Sequence, residues 1–154
     1  MNDWYFAYGS NLWIDQMTMR TDRIGDGENR PRRALLPNHR LVFNMRGECG
    51  GVFANIVFPG KGVLGVLYCC EPDALRRLDA FEQGYDRRRI FVTAENGDQV
   101  EAFTYIARRA HVADGHRPSA EYLLRIVTGA RQHGLPEAYI RELEEEAQQE
   151  PGRL

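Results

Sequence analysis

Short apolar runs dominate the first two thirds of the chain, and spacing of three to four residues takes over only in a few segments. Residues 4–8, Trp4-Tyr5-Phe6-Ala7-Tyr8, predict an aromatic-rich strand stopped by Gly9. Residues 12–20 then predict a helix, with Ser10 or Asn11 as its cap. Residues 21–33 are polar and glycine-bearing, and they predict a surface loop over a pocket. Three β-like stretches follow at residues 34–45, 52–58 and 63–70, separated by Gly-rich or Pro-Gly turns. Pro72 suits a first helical turn, Leu75, Leu78 and Phe81 recur every third residue, and Gly84 provides the stop.

Residues 88–93 and 100–107 predict two more strands, and Asn96-Gly97 between them has the residue types selected by a two-residue hairpin turn. Pro118-Ser119 opens a helix with Tyr122, Leu123, Ile126, Val127 and Ala130 as its apolar stripe, ended by Gly134. A last, acidic helix begins near Pro136. The order is strand, helix, three strands, helix, two strands, two helices. It lacks the alternation of a doubly wound sheet and predicts an α+β fold. No internal repeat or linker interrupts it, so residues 1–147 are expected to form a single domain and residues 148–154 a flexible tail.

Composition narrows the function. The 154 residues are 43% hydrophobic and 27% charged, within the range of globular proteins, and a chain of this length buries about two-thirds of its unfolded surface. Twenty basic and 22 acidic side chains leave a formal charge of -2, with no excess to attract nucleic acid or a membrane surface. A small-molecule partner is therefore expected. No apolar run approaches the roughly 20 residues of a bilayer span, and no signal-peptide pattern precedes the first strand. Cys49, Cys69 and Cys70 form no CxxC pair and make a poor disulfide framework, which fits a reducing cytoplasm.

Two segments carry candidate chemistry. In Tyr8-Gly9-Ser10-Asn11-Leu12 a glycine turn joins a strand to a helix start, where unpaired N–H groups favour an anion and Ser10 and Asn11 add hydrogen bonds. The same residues also suit an ordinary turn with an N-cap. In Leu78-Asp79-Ala80-Phe81-Glu82-Gln83-Gly84-Tyr85 a carboxylate ends an amphipathic helix among aromatic side chains. Burial beside Phe81 and the negative helix end would raise the Glu82 pKa from about 4.3, as a proton shuttle requires. A surface glutamate before a capping glycine is the plainer alternative.

Taken together, these segments resemble the γ-glutamylcyclotransferase family, within the wider AIG2-like group. Tyr5-Phe6-Ala7-Tyr8-Gly9-Ser10-Asn11-Leu12 is similar to its opening strand and substrate loop. Residues 50–57 and 63–68 are similar to its central strands, and Glu82 stands three residues after Asp79 of Leu78-Asp79, at the place of its catalytic glutamate. Pro118-Ser119-Ala120-Glu121-Tyr122, Gly129-Ala130 and Gly134-Leu135-Pro136 resemble its closing helices. The resemblance spans residues 4–143. It implies a mixed β-sheet closed into a small barrel with helices around it, and no cofactor. It also implies that Tyr5, Phe6, Ala7, Tyr8, Gly9, Ser10 and Asn11 hold the glutamyl moiety, that Glu82 shuttles the proton, and that Tyr122 reaches the substrate. The chain departs from the family after Glu82, where Gln83 is inserted. Tyr85 then replaces a family aromatic, and Arg87 or Arg89 either selects an acidic substrate tail or forms a solvated strand edge.

Such an enzyme releases 5-oxoproline and an amine or amino acid from a γ-glutamyl compound, as a monomer or homodimer. A γ-glutamylamine cyclotransferase and a non-catalytic module that binds a glutamyl metabolite are the alternatives. His39, His111, His116 and His133 lie in separate segments without metal-ligand spacing, so no metal site is expected and they read as surface or capping residues. Of the adjacent Cys69 and Cys70, one is expected to face the core. Arg30-Pro31-Arg32-Arg33 reads as a solvated loop.

Overall fold

Strand β1 (Asp3–Ala7) carries the chain's first apolar run into a closed five-stranded barrel, in the computed structural model that describes residues 2–149. A single 3-10 turn, Ser10–Leu12, leads to α1 (Ile14–Thr21). The strands β2 (Arg32–Leu36), β3 (Arg40–Arg46), β4 (Val52–Val57) and β5 (Val63–Cys70) follow, then α2 (Pro72–Phe81). The hairpin β6 (Tyr85–Ala94) and β7 (Gln99–Ala107) precedes α3 (Ala120–Gln132) and α4 (Glu137–Ala147). The barrel order is β1-β5-β2-β6-β7, closed by a parallel contact between Tyr5 of β1 and Phe103 of β7; the other ladders are antiparallel. The expected α+β barrel with surrounding helices is thus the fold observed.

The strands β3 and β4 form a separate two-stranded sheet. Asn55 fastens it to the barrel by accepting from the Ala107 N–H at 3.0 Å, while its own amide donates to Asn44 Oδ1 at 3.0 Å. The apolar run expected as one strand over residues 34–45 is two, because Pro37 cannot donate to a ladder and Asn38 turns the chain at φ 65°. Among the described residues there are therefore seven strands rather than six.

Phe6, Leu12, Leu67, Leu78, Ile126 and Ile140 are fully buried, and each such side chain contributes about 1.5–3 kcal/mol of hydrophobic stabilisation. The stripe read on α3 is the face that packs here, and Ser119 caps that helix by accepting from the Tyr122 N–H at 3.1 Å. Gly129 lets α3 lie directly on the 3-10 turn, since a methyl group there would overlap Leu12 and Trp13 backbone atoms. That contact fixes the end of the glycine turn.

Several local expectations need correction. Neither Ser10 nor Asn11 caps α1, which starts two residues later than expected with Trp13 as its N-cap and no side-chain cap bond. The β6–β7 hairpin forms, but its turn is longer than two residues: Ala94 accepts from the Gly97 N–H and donates to the Asp98 carbonyl, with Gly97 at φ 93°. The loop expected to cover a pocket borders a cavity of about 200 Å³ beside Cys69 and Cys70, separate from Glu82. Cys70 is the buried member of that pair, as strand alternation requires. His133 is a packed brace as well as the α3 C-cap, with Nε2 2.9 Å from the Tyr68 hydroxyl and 3.0 Å from the Leu12 carbonyl oxygen. Of the expected tail, Gln148 caps α4, whereas residues 150–154 lie outside the described residues.

Candidate active site

Glu82 ends α2: its N–H still donates to the Leu78 carbonyl at 2.9 Å, but φ -91° and ψ 53° take it out of the helix. Gly84 follows at φ 88°, a conformation that favours glycine, and turns the chain into β6. This geometry brings the Glu82 side chain, 15% exposed, to a groove of about 990 Å³. Ser10, Arg20, Asp79, Tyr85, Tyr105 and Tyr122 also line it. Glu82 is desolvated as expected, but Phe81, which lines the same groove, is itself 49% exposed and supplies little of the cover. Tyrosines from distant segments surround the carboxylate instead: Tyr5, Tyr8, Tyr85, Tyr105 and Tyr122 all interact with its charge.

Desolvation raises the Glu82 pKa above the ordinary glutamate value. The Arg20 guanidinium and the Asn11 hydrogen bond pull it down, and the Asp79 charge pushes it up again. Burial likewise holds the five tyrosine hydroxyls protonated far above neutrality.

Asn11 is the hub of the polar network. Its Nδ2 donates to Glu82 Oε1 and to the Tyr5 hydroxyl, both at 2.9 Å. Its Oδ1 accepts from Gln16 Nε2 at 2.9 Å and Arg20 Nη1 at 3.1 Å. Reversing the amide would set donor against donor on one side, so these partners fix its orientation. Gln16 also donates to Ser10 Oγ at 2.8 Å and accepts from Arg125 Nη1 at 3.3 Å. The network joins the glycine turn, α1 and α3.

The tyrosines differ in what their hydroxyls do. Tyr8 donates to the Tyr105 carbonyl at 2.6 Å, Tyr85 to the Ala54 carbonyl at 2.6 Å, and Tyr105 to Asp79 Oδ1 at 2.6 Å. Tyr122 accepts from the Ala54 N–H at 3.0 Å and stands 3.3 Å from where a Gly9 side chain would begin. Any side chain at position 9 would therefore narrow the space between turn and helix.

Of the residues read from the sequence, Glu82, Ser10 and Tyr122 line the groove, and Tyr5 and Asn11 meet around Glu82 from beneath. Phe6 and Ala7 are wholly buried in the barrel wall, where the Phe6 ring packs over Gly65. Arg87 lines the groove, 3.5 Å from Asp79 and over the Phe103 ring, whereas Arg89 pairs with Glu101 in solvent. Gln16, Arg20, Tyr105 and Arg125 were missed. Only Gln16 and Arg20 left a signal, as polar residues four apart on one helix face. Among the described residues, no group of three or more His, Cys, Asp or Glu is arranged to hold a metal ion, and no helix is long and apolar enough to cross a membrane.

The architecture defines a class before any name does: a five-stranded mixed barrel whose first strand ends in a glycine turn facing a desolvated glutamate. A solved γ-glutamyl cyclotransferase superposes on the whole chain with a TM-score of 0.82 at 25% identity, covering 91% of that chain. The γ-glutamylcyclotransferase of Mus musculus is 28% identical over 156 residues, and that of Homo sapiens 29% over 154. Each alignment covers 90% of this chain and 76% of the relative. The AIG2-like family pattern matches residues 62–143, more than half the chain and inclusive of Glu82 and Tyr122. The chain belongs to the AIG2-like family.

Proposed function

We propose that this cyclotransferase-type enzyme closes the α-amine of a γ-glutamyl compound onto its own side-chain carbonyl, releasing 5-oxoproline and an amine or amino acid. The observation that carries this reading is the Glu82 carboxylate, desolvated at the groove yet held by Asn11 and faced by Arg20. A γ-glutamyl group brings its own nucleophile, so no serine or cysteine nucleophile is needed. Its amine arrives as an ammonium, and Glu82 takes one proton from it. The amine then attacks the carbonyl carbon, forming the lactam C–N bond and an oxyanion. As the oxyanion collapses, Glu82 returns the proton to the leaving nitrogen and the original amide C–N bond breaks; Glu82 then takes the second proton from the ring nitrogen, leaving the neutral lactam, and passes it to the released amine.

The raised pKa of Glu82 narrows its mismatch with the ammonium. The substrate need only be held folded for attack, which supplies an effective molarity on the order of 10⁵ M or more. The segment from Tyr5 to Asn11 is assigned to the glutamyl moiety, with the fully buried Phe6 and Ala7 serving as the barrel wall behind it. No backbone carbonyl among the described residues engages the N–H groups of Gly9, Ser10 and Asn11, which suits them to a substrate carboxylate or the oxyanion. Tyr122 is assigned a contact from α3, where its hydroxyl lies over Gly9. We assign the activity to residues 1–147 as one domain and to a reducing cytoplasm, supported by three free cysteines.

The test is to incubate the wild-type protein and Glu82→Gln with a panel of γ-glutamyl amino acids, γ-glutamylamines and glutathione, and to assay 5-oxoproline. Product from one class names the leaving group. Binding without product from any of them would reject catalysis in favour of a binding module.

A further inference from the structure

Arg20 has no place in the proton transfer just described, yet it is 18% exposed and placed with care at the back of the site. Its guanidinium lies 4.8 Å over the Phe81 ring, an arrangement that holds the group flat. One nitrogen, Nη1, stands 3.1 Å from Asn11 Oδ1 and 3.6 Å from Glu82 Oε1. Both groups that approach the glutamate from this side, Asn11 Nδ2 and Arg20 Nη1, converge on Oε1. Among the described residues no side chain donates to Oε2. The two carboxylate oxygens are therefore unlike: Oε1 is tied to the protein, while Oε2, on a residue that lines the groove, has no side-chain donor among them.

We propose that Arg20 is a positioning residue for the cyclisation, acting directly and through Asn11 to hold Glu82 Oε1 and leave Oε2 as the oxygen that exchanges protons with substrate. Gln16 completes the device by occupying the second acceptor site of Asn11 Oδ1, and Arg125 holds Gln16 from α3. A positive charge at 3.6 Å also favours the ionised carboxylate that must begin the reaction. Apart from the Asn11 hydrogen bond, the other groups facing Glu82 give no such help. Asp79, on α2, opposes ionisation, and Tyr5, from β1, accepts from Asn11 with its hydroxyl neutral. Tyr8, just past β1, Tyr85 on β6, Tyr105 on β7 and Tyr122 on α3 are neutral too. Arg87 stands one group further out, beside Asp79.

This inference rests on the cyclotransferase reading, and its test has one arm that does not. In Arg20→Gln, the carboxyl carbon of Glu82 is followed by ¹³C NMR against pH, its signal assigned by its loss in Glu82→Gln. The expected result is titration at higher pH than in the wild type. With a γ-glutamyl substrate, the acid limb of kcat/KM moves the same way, with a loss of about tenfold on the acid side that recovers as pH rises. An unmoved Glu82 titration in folded Arg20→Gln overturns the proposal. A uniform loss at every pH also overturns it, since that is the mark of a merely structural role. If no substrate is turned over by the wild type, the cyclotransferase reading falls while the NMR arm still decides the role of Arg20. Should Arg20→Gln fail to fold, Arg20→Lys takes its place. It keeps the charge but not the two-sided geometry, so kcat should fall with the limb near its wild-type position; unchanged kcat there would also overturn the proposal.

Discussion

The two walls of the groove are built on opposite principles. The inner wall is the turn after β1, the start of α1 and the end of α2, where the side-chain amide of Asn11 is fully paired and the rings of Tyr5, Tyr8 and Tyr105 are buried. The outer wall is the β3–β4 turn, with Gly47, Gly50 and Gly51 among its residues, an exposed Cys49, and Phe53 as its packed aromatic. Hydrogen bonding on the inner side holds one carboxylate in place, whereas the glycine-rich outer side offers adaptable edges. Proton transfer needs the first property and leaving groups of varied shape suit the second.

The sharpest way to break this contrast is at Glu82. Glu82→Gln should lower turnover by about 10² to 10⁴ while the fold persists, measured as 5-oxoproline release alongside circular dichroism. Its stability should move the other way. A carboxyl whose folded pKa is raised contributes stability that is present below the unfolded pKa of about 4.3 and lost as pH rises through the folded value. Glu82→Gln should therefore melt no lower than the wild type at pH 7, with a gain of about 1 kcal/mol or less that vanishes in acid. A mutant much less stable at neutral pH would make Glu82 a structural residue.

Next in size is the packing beneath the turn. Gly129→Ala should cost about 1–3 kcal/mol by denaturant melts, because α3 has no room to move away from Leu12 and Trp13. Smaller again is Asp79→Asn. Asp79 is 41% exposed and accepts from Tyr105, and its charge raises the Glu82 pKa. Removing it should shift the acid limb of kcat/KM to lower pH, with a rate change of less than about tenfold. On the outer wall, Cys49→Ser should change stability by no more than about 0.5 kcal/mol. A larger effect there would end the contrast between the walls.

The difference between the walls also explains what was legible in the sequence. Element types were readable wherever local rules governed them: Pro72 with Leu75 and Leu78 for α2, Ser119 for the cap of α3, and Asn96-Gly97 for a hairpin. The apolar run at residues 34–45 hid a break because its signal was only Pro37-Asn38. Glu82 was located by its likeness to a family motif, but the source of its burial was misplaced. Neighbouring Phe81 is half-exposed at the groove under Arg20, and the buried rings facing Glu82 come from β1, β6, β7 and α3. Asn11 suited a helix cap by type, and only the tertiary arrangement shows its amide turned instead to a carboxylate 71 positions away. Long-range pairing of this kind has no period and no spacing from which to read it.

The most direct test of the account is the pH dependence of kcat/KM for the wild type and Glu82→Gln on one good γ-glutamyl substrate, with folding checked at each pH. In the wild type the acid limb should lie above the ordinary glutamate value of about 4.3, and it should be absent from the residual activity of the mutant. An acid limb that persists unchanged in Glu82→Gln would contradict the account, because the titrating base would then be another group.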